Sequence, residues 1–190
     1  MHFLKTYHDT IILYDLANKF TYLNSKKLPQ FNKVSLSFSR KNNNLKDFIS
    51  MILFFEILFD QKITINNIIS YKKSNVLVKI KKGSPVGCKV ILGKSKLYEV
   101  FEFLYADILI NKKNYKQSAI TSSSLSFNII NPMKIKELDR YYYNFFKSLP
   151  WLNVTFFTTA KTTKELIYLS KAYKLALENI NSICNSIGRV

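Results

Sequence analysis

Two histidines and two cysteines are all that this 190-residue chain offers as imidazole or thiolate metal ligands or thiol nucleophiles, and they do not cluster. Cys88 and Cys184 fit neither a zinc spacing nor a disulfide framework. Cys88 alternates with Val90 and Leu92 and reads as a small core residue; Cys184, in the tail, is assigned nothing. His2 and His8 lie near the N-terminus and read as solvent-exposed bystanders. A nucleophile elbow, a P-loop and a dinucleotide glycine fingerprint are all missing. Glu99 and Glu102, three residues apart, fit a solvated helix face better than an acid–base pair. These absences weigh against an enzyme: no catalytic residue, metal site or cofactor is expected.

Glycine and proline are scarce too, four of each, and none forms a flexible linker, so a single domain is expected. The most apolar stretch, Phe48 to Phe59, is too short to span a bilayer and carries Glu56. The N-terminal segment lacks the long apolar core of a secretory signal, and its Asp9 and Asp15 argue against a transit peptide. Acidic residues number 12 against 29 basic ones, a net charge of +17. Self-repulsion on that scale calls for an anionic partner, either nucleic acid or, as the alternative, an anionic membrane surface. Lysine supplies nearly all the positive charge. As a point charge it suits a folded RNA read by shape better than base-specific readout.

What is present is hydrophobic periodicity. Leu4, Ile11, Ile12, Leu16 and Phe20 share a helical face within residues 4–20, and Phe48, Ile49, Ile52, Phe55 and Phe59 do so in a helix from Leu45. Val34, Leu36 and Phe38 alternate with Ser35, Ser37 and Ser39, which predicts a half-buried strand with a small polar face. Ile63–Ile69 reads as a strand or extended arm. Ser95–Leu109 reads as a helix with Leu97, Val100, Phe101, Leu104 and Ile108 inward. Strands are expected at Leu125–Ile130 and Val154–Thr159, with a polar connection across Asn111–Ser124. Lys134–Phe146 is open between helix and coil. Thr162-Thr163-Lys164-Glu165 fits a capping box, and Leu166, Leu169, Tyr173, Leu177 and Ile180 continue one face of the last helix. Most of the 15 phenylalanines fall at core positions. Tyr71 and Tyr115 stand in basic loops as candidates for base stacking, and Tyr141–Tyr143 fit either role.

Gly83-Ser84-Pro85-Val86-Gly87 predicts a tight turn between Val76–Lys82 and Cys88–Leu92, a hairpin with an apolar back and a lysine-bearing front. Lys72, Lys73, Lys79, Lys81, Lys82 and Lys89 gather on this hairpin and its flanking loop. Several ammonium groups along one ridge can follow successive phosphates and release their counterions.

Gly83, Pro85, Gly87, Cys88, Lys89, Val90, Gly93, Tyr98 and Leu104 occur in an order that resembles the large-subunit ribosomal protein L five family. Three further islands are similar to that family in the same order: Leu28-Pro29 before the first strand, Asp60-Gln61-Lys62, and Val154–Thr162, which holds Thr158-Thr159-Ala160-Lys161-Thr162. Lys72-Lys73-Ser74 resembles the run ahead of the family's long loop. The resemblance covers most of residues 1–175, with gaps around 39–46 and 111–130. It departs at Ser37, Phe38 and Ser39, at Val78, at Ile91, and over Asn111–Ser124.

The resemblance implies an α+β domain over residues 1–175, an antiparallel sheet layered against helices with a long basic loop and hairpin. The last helix reads as longer than the family's usual C-terminus, a C-terminal helical extension over 176–190. The resemblance also implies a structural role in the large ribosomal subunit, with 5S rRNA and large-subunit rRNA held by Lys33, Ser37, Gln61, Lys62, Lys79, Lys81, Lys82, Lys89 and Lys94. The loop of Lys72, Lys73, Ser74 and Asn75 would reach the P-site tRNA. Neighbouring ribosomal proteins, a small-subunit bridge partner among them, would complete the surroundings, without a membrane. The abundance of Lys, Asn, Ile, Phe and Tyr points to an AT-rich genome. An organelle-encoded protein of the mitochondrial matrix is expected, with plastid and AT-rich bacterium left open.

Overall fold

The computed structural model describes residues 3–22, 24, 27–39, 45–59, 64–67, 85–106, 115–135, 149–173 and 175. Six strands form one antiparallel sheet: β1 (Phe31–Ser39), β2 (Thr64–Asn67), β3 (Pro85–Leu92), β4 (Tyr115–Ile120), β5 (Ser124–Ile129) and β6 (Leu152–Thr158). Their order across the sheet is β2-β3-β1-β6-β5-β4. The helices are α1 (Phe3–Tyr7), a π turn (His8–Ile12), α2 (Leu13–Lys19), α3 (Leu45–Phe59), α4 (Lys94–Leu104) and α5 (Thr163–Ala172), with a 3-10 turn at Pro132–Lys134. This is the α+β layering that the sequence implies.

Side chains alternate along each strand, so one set of positions faces the helices. In β1 that set is Val34, Leu36 and Phe38, which stand opposite Leu92, Val90 and Cys88 of β3. On the other flank the same three face Phe156, Val154 and Leu152 of β6. All nine are almost fully buried. Aromatic rings tie the layers together. Phe38 meets Phe54 and Phe55 of α3 at centroid distances of 5.0 and 5.1 Å, and Phe101 of α4 reaches Phe31, Phe156 and Tyr173 at 5.3, 5.0 and 5.0 Å. Tilted and edge-on rings at such spacings add to the simple burial of apolar area. Lys96 Nζ donates to the Phe59 carbonyl at 3.0 Å, satisfying one of the free carbonyls at the end of α3.

Several expectations change. The turn predicted at Gly83–Gly87 ends earlier, because Pro85 to Gly87 already lie in β3. Over Pro85–Lys89 the antiparallel partner of β3 is β2, and β1 occupies its other edge, so the hairpin arm next to β3 is Thr64–Asn67. Val76–Lys82 lies outside the described residues. In the N-terminal helix the π turn adds about one residue to a turn, and buried positions then recur every fourth residue: Leu4, His8, Ile12 and Leu16. Ile11 is thereby rotated outward and is 46% exposed. In α3 the buried stripe is Phe48, Met51, Phe54, Phe55 and Phe59, which leaves Ile49 outside it and exposed. The connection predicted across Asn111–Ser124 contains β4, joined to β5 by a tight turn in which Thr121 N donates to the Ser124 carbonyl at 2.9 Å. Ile108, Leu177, Ile180 and the segments 136–148 and 176–190 lie outside the described residues.

Candidate nucleic-acid interface

Alternation that sends apolar side chains to the helices sends the intervening ones to the opposite, front face, where no described helix packs. On the front, β1 presents Lys33, Ser35, Ser37 and Ser39, β6 presents Asn153, Thr155 and Phe157, and β5 presents Ser124, Ser126 and Asn128. The register aligns these residues into rows. One row crosses the whole sheet: Thr64 opposite Lys89, Lys89 opposite Ser37, Ser37 opposite Asn153, Asn153 opposite Asn128, and Asn128 opposite Lys116. Lys89 and Lys116 therefore stand four strands apart, about 19 Å at the usual strand spacing. Between them lie only hydroxyl and amide side chains, which both donate and accept. The neighbouring row includes Ser126 and Thr155, whose hydroxyls hydrogen-bond to each other at 3.2 Å.

Two lysines rest beside aromatic rings on this face. Lys33 Nζ lies 5.0 Å from the centre of the Phe157 ring, and Lys116 Nζ lies 5.9 Å from that of Trp151. Such contacts hold an ammonium group against the sheet without neutralising it. Lys33 and Lys116 are exposed and Lys89 is half-buried. The arrangement is a hydrogen-bonding floor with cations at its edges, suited to a polyanion that also carries hydroxyls.

Among the residues expected to bind RNA, Lys33, Ser37 and Lys89 share this face, the last two as direct cross-strand neighbours. Lys94 begins α4. Gln61, Lys62, Lys79, Lys81 and Lys82, with the loop residues Lys72, Lys73, Ser74 and Asn75, lie outside the described residues, as do Tyr71 and Tyr141–Tyr143. Tyr115 is no stacking platform. It points to the core, 4% exposed, with its ring edge-on to Phe127 at 5.3 Å. Sequence reasoning missed Lys116, Asn128, Asn153, Thr155 and Trp151. The alternation of polar and apolar residues in β5 and β6 is visible in the sequence, but only the register shows that their polar sides adjoin that of β1.

Other candidate groups have structural roles. Burial pushes the Cys88 thiol up to about 12, so it stays protonated and inert. His8 is no bystander, being 1% exposed and stacked on Tyr173 at 6.0 Å. Glu102 accepts a hydrogen bond from the Leu4 amide at 2.8 Å and so fastens the N-terminal helix to α4. Among the described residues no cluster of metal-ligating side chains occurs, and no helix is long and apolar enough to cross a membrane.

No family model matches the chain. Curated relatives match nearly all of it. The large ribosomal subunit protein uL5 of Blochmanniella floridana is 26% identical over 189 residues, covering 96% of either chain. The uL5m protein of Reclinomonas americana is 28% identical over 183 residues, 93% of this chain and 98% of its own. The uL5 protein of Ehrlichia ruminantium is 28% identical over 182 residues, 93% of this chain and 99% of its own.

Proposed function

Because the chain belongs to the uL5 family, we propose that it is a structural constituent of the large ribosomal subunit whose sheet front holds rRNA. The cross-strand row from Lys89 through Ser37, Asn153 and Asn128 to Lys116 carries this reading. Lysines at its ends can contact phosphates on either side of an RNA groove, and the groups between them can pair with 2′-hydroxyls and base edges. In A-form RNA these are displayed together in the wide minor groove. The net charge of +17 supplies long-range attraction to RNA and a salt-dependent affinity.

We assign 5S rRNA to this face, together with the adjoining large-subunit rRNA, and we place the protein in the central protuberance. Lys33, Ser37 and Lys89 bind from the sheet, with Lys94, Gln61, Lys62, Lys79, Lys81 and Lys82 extending the contact. Lys72, Lys73, Ser74 and Asn75 form the arm to the P-site tRNA. The mitochondrial name of one relative and the AT-rich composition support a ribosome of the mitochondrial matrix. The role is structural, as the names of the uL5 relatives, large ribosomal subunit proteins, support.

Binding of the purified chain to 5S rRNA across a salt series tests this reading. Replacing Lys33, Lys89 and Lys116 together by glutamine should reduce the salt slope by about one unit per lost phosphate contact. Thermal stability should change little, because the three side chains lie outside the core. A triple variant with the wild-type slope would remove these lysines from the RNA contact.

A further inference from the structure

Trp151 is the single tryptophan of the chain and, among the described residues, one of the large exposed apolar side chains, with 44% of its surface open. It immediately precedes β6, and Leu152 beside it is buried against the helices. Alternation therefore places Trp151 on the front, as does its contact with Lys116 of β4 at 5.9 Å. The long cross-strand row passes next to it, with Asn153 two residues further along the chain and Asn128 joining Asn153 to Lys116. We propose that Trp151 is a stacking platform for an unpaired RNA base, with Lys116 holding the adjoining phosphate and the amides of Asn128 and Asn153 meeting the edge of the base.

The inference rests on the RNA reading of this face and adds to it a ligand class, a single-stranded loop or bulge. Inside a duplex every base face lies within its own stack, so away from the duplex ends an unpaired base is what offers a face to an indole ring. Charge complementarity decides the occupant: the ring lies beside an exposed lysine in a chain of net charge +17. Phe157, the other described aromatic residue on the front of β6, is half-buried, so Trp151 offers the more open ring.

A single tryptophan makes the protein its own reporter. The full chain would be titrated, with fluorescence read at Trp151, using an RNA hairpin with an open loop and the same stem closed as a blunt duplex. The hairpin should quench the emission, and the duplex should bind without quenching. Trp151→Ala should weaken hairpin binding by about 5- to 150-fold and leave duplex binding unchanged. Lys116→Gln should retain the quenching while reducing the salt slope by about one unit. Hairpin binding without quenching, or equal losses for both RNAs in Trp151→Ala, would overturn the stacking site and leave the RNA reading standing. If neither RNA binds while phosphatidylglycerol vesicles shift the emission to the blue, both proposals fall and the face docks on membranes.

Discussion

Gly87 stands where β3 lies against β1, and a Cβ there would collide with the Phe38 carbonyl oxygen. Its backbone is outside the left-handed region, so the requirement is for space and not for an unusual conformation. The sequence reading of a turn glycine identified the right residue for the wrong cause. Gly87→Val must push the two strands apart, and overpacking of this kind costs about 1–3 kcal/mol or more. A thermal melt should show a lowered midpoint, and RNA binding should fall because Lys89 shifts with β3. An unchanged midpoint would refute the close packing. His8 makes a second prediction. Neither ring nitrogen has a hydrogen-bond partner among the described groups, and Tyr173 and Tyr98 pack against the ring. Burial lowers its pKa below 6.5, outweighing the opposite pull of the Asp9 carboxylate. The same burial pushes Tyr98 up to about 12 and raises Tyr173, so these rings stay neutral. The unfolded chain therefore takes up a proton that the folded one refuses. This contribution to stability is complete above pH 6.5 and is lost as pH falls from there toward the folded value. Denaturant melts of His8→Phe should lose less stability than wild type between pH 7 and pH 5, whereas parallel losses would contradict the assignment.

Among the elements, α5 begins as its sequence predicts. Thr162 Oγ1 accepts from the Glu165 amide at 3.3 Å, and Glu165 Oε2 accepts from the amides of Thr162 and Lys161 at 3.4 and 3.0 Å. Thr162→Ala removes one half of this reciprocal pair and should cost about 1 kcal/mol, read as a lower urea midpoint with an unchanged slope. No loss at all would mean that the cap is replaced by water without penalty. Such local signals were legible because a few neighbouring residues decide them. The same holds for β5 and β6, whose period-2 alternation survives in the burial pattern, and for the inward face of α4, whereas in β1 the alternation is broken by buried Ser35 and by a register shift between Phe31 and Lys33. β4 was not legible. Lys116 and Gln117 follow Tyr115 without clear alternation, and a register shift between Gln117 and Ala119 breaks the period further. The exposure of Ile11 was hidden for a similar reason, since a π turn resets the helical period and no residue type announces one.

Among the described residues, the helices and most aromatic rings lie on one side of the sheet, while the other carries serine, threonine, asparagine and lysine interspersed with Ile91, Trp151 and Phe157. The sequence displayed each strand's polar side separately, and the front as one surface exists only through the order β2-β3-β1-β6-β5-β4. That order brings Lys116, late in the chain, onto the same row as Lys89 and Ser37. Non-local pairing of this kind leaves no trace in a single sequence, which is why half of the candidate face was missed. A sheet with one face against a hydrophobic core and the other lined by hydrogen-bonding groups is stable as a scaffold and offers its free side to a partner. The most direct test of a ribosomal role is sedimentation of ribosomes from cells expressing the tagged chain, with large subunits recovered after a high-salt wash. Screening at such ionic strength suppresses electrostatic attraction beyond a few ångströms, so only a protein seated among rRNA contacts should remain. The chain should be retained in the large-subunit fraction together with its 5S rRNA. Its release into the wash, or its recovery with membranes, would contradict the account.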